Sequence, residues 1–434
     1  MTEYVGKSMP RYNGLGQVNG TAIFVDDVQI PGMLYAKLLR SPVSRGTIKN
    51  LDFSAVKKIP GVVGVVTADD IPGQNLCGTY GDQAVLNPKD IRYKGEPIAA
   101  VVATDEDTAV GALSEAKLDI EELTPVFDMF EAMKPDAPIV RPGTPNNLFE
   151  YLPGVTTRII KIGDIEAGFK EADHIIEGRY KEGVQDHCAM EPQVSVAYID
   201  DSGRLVIHTH SQCVNLQLGM LCGIFNLPQS KINYMGGRTG GGFGSKNEIN
   251  CDHISGLAAL KFHKPVKFRL TRQEELLYTG KRGAWVFDYK TGVKNDGRIV
   301  ASHIKEYHDS GAYCGFSPYA TEKCAMFASG PYYIPNIRVE GQTIFTNKPV
   351  GISMRGFAII NGQIPADVQM SRIAEKLGMD PWEIRFINAF RDDDIGASQY
   401  VVKAAGAIEA MKKCAEVAGI QLPEKLLQMS SRRR

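Results

Sequence analysis

Long apolar runs are missing from this 434-residue chain. None reaches the ~18 residues that a membrane-spanning helix needs, and the opening Met1–Lys7 has no apolar core of signal-peptide length. The chain is therefore expected in the cytoplasm, with no membrane partner. Charge of one sign is missing too: 49 Lys and Arg against 50 Asp and Glu leave a formal net charge of −1. Nucleic-acid binders usually carry a basic excess, so no nucleic-acid partner is expected. The eight cysteines (77, 188, 213, 222, 251, 314, 324 and 414) form no C-x-x-C pair and no Cys/His metal spacing. They are expected to be reduced, buried thiols, in a chain that is a poor host for an iron–sulfur cluster of its own. Internal repeats and low-complexity segments are absent as well. What remains is ordinary globular composition, 23% charged and 43% hydrophobic, at a length that calls for more than one core.

The pattern of elements predicts a mixed α/β and α+β fold in two units. Residues 1–134 form the first. Met33–Leu39, Val62–Thr67, Ile98–Ala103 and Leu118–Leu123 read as strands, and Asp105 caps a helix running to about Lys117. Residues 135–150 hold Pro135, Pro138, Pro142, Gly143 and Pro145, a linker composition. The second unit spans 151–425. It holds a hairpin around Asp200–Gly203, a helix over Val214–Phe225, a strand over Ile232–Met235 and a helix over Glu248–Lys261. Thr271 and Glu274 form a capping box, Asn295–Gly297 turns a hairpin, and one helix ends before Gly378 while another opens at Pro381. Residues 426–434 are expected to be a tail, frayed from Ser430.

Glycine is abundant: 44 residues, about a tenth of the chain against a usual ~7%. Six glycines fall within nine residues in Gly236-Gly237-Arg238-Thr239-Gly240-Gly241-Gly242-Phe243-Gly244, followed by Ser245-Lys246. Between a strand and a helix, such a stretch offers a row of backbone N–H groups and the positive end of a helix dipole, a ready site for a phosphate or pyrophosphate. Neither common phosphate-loop pattern fits. Gly244-Ser245-Lys246 inverts the Lys-Ser order of the P-loop, and G-x-G-x-x-G fails from Gly240 and from Gly242. A purely structural glycine turn remains the alternative.

Gly240–Lys246, reading GGGFGSK, resembles the molybdopterin-loop motif of the xanthine dehydrogenase family of molybdenum hydroxylases. Four more stretches are similar to motifs of that family, in the same order: His187-Cys188-Ala189-Met190-Glu191-Pro192, Ser211-Gln212, Tyr333-Ile334-Pro335-Asn336 and Arg355-Gly356-Phe357. Gly20-Thr21-Ala22 to Asp26-Asp27, with Ile59–Val62, resembles its N-terminal α/β hammerhead domain. The resemblance implies a hammerhead domain followed by the first half only of the family's molybdopterin-binding region. The second half, with its catalytic glutamate in a G-E-P-P-like motif, has no counterpart. Gly95-Glu96-Pro97 sits in the wrong domain for it.

The departures bear on substrate. Ala358-Ile359-Ile360-Asn361 replaces Gly-Gly-Pro-Gln after the R-G-F motif. Asn247 stands where purine enzymes often carry glutamate, and Lys323 where they carry arginine. The split large half is most similar to the nicotinate-hydroxylating branch of the family. The resemblance thus implies water-derived hydroxylation of a small, electron-poor N-heterocycle, nicotinate to 6-hydroxynicotinate. An aldehyde or purine hydroxylase subunit is the alternative, and a cofactor chaperone or other non-redox binding module the alternative of another class. The implied cofactor is molybdopterin cytosine dinucleotide, with a sulfido or selenido ligand on molybdenum. The implied partners are a second molybdopterin subunit carrying the base glutamate, a [2Fe-2S] subunit and an FAD subunit passing electrons to NAD(P).

Site roles follow from the same resemblance. Gln212 would donate its amide to the metal's oxo group, and Phe243 would aim its backbone N–H at the metal's ligands and its ring at substrate. Arg355 and Lys323 would meet a carboxylate or the charge that develops on the ring. Gly240, Gly241, Gly242, Gly244, Ser245, Gly356 and Phe357 would line the cofactor. No side chain would ligate the metal directly. His208 and His210, and likewise Glu191 and Glu248, are expected to be structural.

Overall fold

The computed structural model describes residues 4–431. Its largest sheet runs, edge to edge, through Ile232–Gly236, Leu205–Thr209, Val194–Ile199, Val266–Arg269, Leu34–Arg40, Pro97–Ala103 and Val62–Val66. Three of these strands come from the N-terminal unit and four from the second. The seam is parallel, pairing Leu34 with Val266 and Ala36 with Phe268. The reason lies in composition: Ile98–Ala103 is apolar throughout and buried throughout, so both faces of that strand must be covered. Leu34, Ala36, Leu38 and Val102 accordingly share one core with Ile207, Ile254, Leu257 and Phe268. The picture of two separate units is corrected to this extent: residues 1–134 do not complete their own sheet, which takes in strands from residues 194–269.

The other half of the first unit is local. Val56, Val65, Val101 and Ala112 pack together under the helix Glu106–Leu113, which Asp105 caps through Thr108 N at 2.8 Å. Asp90–Ile91, Gly46–Asp52 and Lys117–Glu122 make a small antiparallel sheet beside it.

A second large sheet orders Arg158–Ile162, Ile337–Phe345, Ile299–Gly311, Trp285–Val293 and His174–Glu182. The hairpin expected at Asn295–Gly297 joins its two long strands, and Gly297 takes φ 88° there. Trp285, Phe287 and Tyr289 share a core with Ala320, Cys324 and Ala328 of the helix Ser317–Phe327 and its C-terminal turn, and with Ala366, Met370 and Ile373 of the helix Ile359–Leu377. Gly378 ends the latter with φ 65°, and Asp380 caps the next, Pro381–Asn388, through Trp382 N at 2.7 Å.

Three further expectations are corrected. The proline-rich stretch 135–150 is packed: Asn147 is fully buried, donates to the carbonyls of Ala132 and Pro138 at 2.9 and 3.0 Å, and accepts from Val140 N at 2.8 Å. The tail is docked as far as it is described, since Leu426 is buried with Phe386 and Ile408, and the Ser431 backbone N–H donates to Glu409 at 3.0 Å. Residues 432–434 of that tail lie outside the described residues. The helix after the glycine loop begins at Asp252, not Glu248, because residues 244–251 close short turns on the loop and its neighbours. Among the described residues, no helix is long and apolar enough to cross a membrane.

Candidate active site

The glycine loop leaves the edge strand Ile232–Gly236 and is fastened from two sides. Glu191 Oε2 accepts from Gly240 N at 2.6 Å and from Lys246 Nζ at 2.9 Å, and Lys246 also donates to the Glu191 carbonyl at 3.0 Å. The Lys246 side chain is wholly buried. Burial pulls its ammonium below the usual lysine range, against the pull of Glu191. Gln212 fastens the other side, its Oε1 accepting from Gly244 N at 3.0 Å and Lys246 N at 3.3 Å. A Cβ on Gly242 would sit 2.4 Å from that oxygen, and one on Gly244 would sit 2.3 Å from the Ser353 carbonyl. These two approaches, with φ 111° at Gly244, require glycine.

The consequence is a division of labour among the N–H groups. Those of Gly240, Gly244, Ser245 and Lys246 bond within the protein. Those of Gly241, Gly242 and Phe243 have no partner among the described residues. The Ser245 hydroxyl is turned inward onto the Gly242 carbonyl at 2.9 Å, so the structure does not offer it to a ligand. The helix dipole expected behind the loop is likewise displaced to Asp252, whose neighbourhood is fully buried.

A second loop faces the first. Arg355 N donates to the Phe243 carbonyl at 2.7 Å, and the Arg355 carbonyl accepts from Arg282 Nη2 at 2.5 Å. Gly356, Phe357 and Ala358 take φ of 86°, 44° and 67° in succession, and Phe243 takes 55°. Non-glycine residues held there store strain, which persists where surrounding contacts over-determine it and clusters at functional sites. The two loops line an open cleft of about 430 Å³ with Gln212, Cys213, Asn247, Phe316 and Ser353. Gln212 is exposed there, and its amide NH2 has no partner among the described residues. The exposed Arg355 guanidinium forms no ion pair among them. Phe357 meets Phe316 edge-on at 6.1 Å.

Lys323 is not brought to this cleft. It lies half-buried in the helix Ser317–Phe327 with its ammonium 5.4 Å from the Phe327 ring centroid. The motif Tyr333–Asn336 is structural here: Asn336 accepts from Asp164 N at 2.8 Å and donates to the Val300 carbonyl at 2.9 Å, tying strands together. His187 supports the cleft from behind, donating Nε2 to the Ser353 carbonyl at 2.7 Å, and burial holds its imidazole below the usual histidine range. His210 is buried and accepts from Val194 N at 3.1 Å; His208 stacks on Tyr198.

Several lining residues escaped sequence reasoning. Cys213 is partly accessible, not buried, and its thiol donates to Asn247 Oδ1 at 3.4 Å; Asn247 in turn donates to Ser353 Oγ at 2.6 Å. Cys188 and Cys414 are exposed, again unlike the expectation for the cysteines. Cys213 follows Gln212 directly, which was the available signal. Phe316 and Arg282 carry no motif and reach the site through the fold alone.

An apolar-walled cleft with unpaired backbone N–H groups, a free amide and a free guanidinium fits a large anionic cofactor that presents oxygen and sulfur acceptors. The sequence profile described as "Molybdopterin cofactor-binding domain" matches residues 142–389, and "Aldehyde oxidase and xanthine dehydrogenase, a/b hammerhead domain" matches 19–124. The chain is 32% identical to the nicotinate dehydrogenase large molybdopterin subunit of Eubacterium barkeri over 418 residues, 96% of each chain. It is 33% identical to a probable xanthine dehydrogenase subunit of Bacillus subtilis, covering 94% of this chain and 54% of that one. The crystal structure of the Desulfovibrio gigas aldehyde oxidoreductase superposes with a TM-score of 0.90 at 30% identity, over 95% of this chain and 47% of that chain. The chain thus spans nearly all of the first relative and about half of the other two. Fold and cleft define a molybdopterin-binding protein with a hammerhead domain. The chain belongs to the xanthine dehydrogenase and aldehyde oxidoreductase family of molybdenum hydroxylases.

Proposed function

We propose that this chain is the large molybdopterin subunit of a hydroxylase acting on a carboxylate-bearing, electron-poor N-heterocycle of the nicotinate class. The observation that carries the reading is the unpaired, exposed Arg355 guanidinium in the same cleft as the unpaired N–H groups of Gly241, Gly242 and Phe243. The near end-to-end match to a nicotinate dehydrogenase subunit supports it.

When bound, the molybdenum cofactor supplies Lewis acidity and accepts the electrons. This chain's residues do the rest of what can be assigned to it. The Gly241–Phe243 N–H groups and the Gln212 amide donate to the cofactor's acceptors. Phe243, Phe316 and Phe357 give a flat ring an apolar wall. Arg355 pairs with the carboxylate in bidentate fashion, which a planar guanidinium does better than an ammonium. The base glutamate belongs to a second molybdopterin subunit, and the [2Fe-2S] and FAD centres that lead to NAD(P) belong to further subunits. The pterin is the cytosine dinucleotide, with sulfido or selenido at the metal.

The aldehyde reading is favoured by one observation, the close superposition on an aldehyde oxidoreductase. Kinetics in the assembled enzyme separates the two. Arg355→Met should lower kcat/KM for nicotinate roughly ten- to a hundredfold more than for nicotinamide, since hydrogen bonds to a charged group are worth about 1.5–3 kcal/mol. Lys323→Met should leave that ratio unchanged. Equal losses on both substrates would refute carboxylate pairing by Arg355. A purified complex without stoichiometric molybdenum would refute the enzyme reading in favour of a non-redox cofactor-binding or chaperone module.

A further inference from the structure

Apart from the cleft, between the N-terminal strands and the cofactor-binding part, lies a separate cavity of about 50 Å³. Arg40 and Tyr93 of the N-terminal unit and Glu248 and His253 of the second unit line it. Three polar atoms on its walls have no partner among the described residues: Arg40 Nε, His253 Nδ1 and Glu248 Oε1. Such groups are costly to bury unsatisfied, and the volume is several times the roughly 10–15 Å³ that one water needs.

Charge decides what the cavity takes. Arg40 donates to the Gly95 carbonyl at 3.1 Å and lies 5.0 Å over the Tyr278 ring, but no carboxylate pairs with it among the described residues. Glu274, the carboxylate that acts on it electrostatically, is already engaged by Thr271 N at 2.8 Å and lies 3.6 Å from Lys37. In the same cavity, burial and the neighbouring Asp82 push the Glu248 carboxyl up to about 7. Asp82 itself is held by Arg141 at 3.3 Å. His253 is kept neutral by burial and by Arg40. The Arg40 charge, with its Nε buried, therefore has no full counter-charge among the described residues, in a space with room for a halide and water.

We propose that this cavity is a binding site for a small monovalent inorganic anion of the chloride class, held by Arg40 and His253. The ion bridges the strand Leu34–Arg40 to the helix Asp252–Phe262 and so ties the hammerhead strands to the cofactor-binding part. A multiply charged anion would overcompensate Arg40 and meet the Glu248 carboxyl that lines the same cavity.

The test uses the purified protein with the partners it assembles. Crystals soaked in sodium bromide should show an anomalous bromine peak within hydrogen-bond distance of Arg40 Nε. The peak should persist in Glu248→Gln, whose amide still donates, and vanish in Arg40→Met. In solution, chloride or bromide should raise Tm by about 2–4 °C over gluconate, too large for the cavity, at equal ionic strength. That difference should be absent in Arg40→Met. A wild-type map with only water in the cavity, or equal Tm in halide and gluconate, would overturn the proposal even if Arg40→Met fails to fold.

Discussion

Replacing Glu191 with Gln keeps the shape of the side chain and the acceptor facing Gly240, but removes the charge opposite Lys246. The Lys246 side chain is wholly buried and that of Glu191 is only 10% exposed, so solvent can screen little of the loss. An ammonium left in such a place with neutral acceptors costs about 3–5 kcal/mol. Lys246→Met strands the carboxylate instead and should cost a similar amount, relieved slightly by the remaining Gly240 N–H. If the two acted independently, the double variant would lose about 6–10 kcal/mol, enough to unfold most domains. Coupling predicts the reverse. With both charges gone, no buried ion is left uncompensated, and a neutral, well-packed pair is often no worse than the ion pair it replaces. The double variant should be more stable than either single one, with a coupling energy of several kcal/mol. Urea midpoints by circular dichroism, at unchanged m value, measure all four corners of the cycle. Additive losses would refute the view that Glu191 and Lys246 act as one clamp on the glycine loop.

Gly242→Ala places a methyl where the Gln212 oxygen stands, so the bonds to Gly244 and Lys246 should break. At about 1 kcal/mol each, this costs ~2 kcal/mol and should lower bound molybdenum; full occupancy in metal analysis would show the clamp to be dispensable. Asp252 is buried, and burial pushes its carboxyl up to about 6 against ~3.9 unfolded. The native state therefore holds the proton more tightly, so this residue's contribution is complete below pH ~4 and is lost as pH rises through about 6. Asp252→Asn should match the wild type's relative stability near pH 4 and gain up to about 3 kcal/mol on it by pH 8. A gap that stays flat with pH would refute the shift.

The elements themselves were legible. The Val214–Phe225 helix, the Thr271/Glu274 box and the Asn295–Gly297 hairpin depend on periodicity, caps and turn residues a few positions apart, and all three stand where expected. The motif residues Gln212, Phe243 and Arg355 also converge on one cleft. The sequence pattern opens the Glu248–Lys261 helix four residues too early, because nothing local shows that Asn247, Glu248 and Asn250 are committed to tertiary bonds. Proline content marked 135–150 as a linker, while the buried Asn147 that orders it bonds to residues up to 15 positions away.

Local chemistry in the chain determined the glycine loop, its motif partners and the residues able to meet an anion, since backbone freedom and side-chain type are properties of the residues alone. Tertiary structure decided which of those groups remain available. Glu191, Gln212 and the loop's own Gly242 carbonyl take four of the seven N–H groups of Gly240–Lys246 and leave three, Ser245 turns inward, and Lys323 is held against Phe327 away from the cleft. It also decided that Leu34–Arg40 pairs with Val266–Arg269 more than 200 residues later, merging two expected units into one sheet. The physical reason is that a backbone N–H has one hydrogen to donate and an apolar strand must be covered on both faces, and in a folded chain the group that does either is chosen by proximity in space.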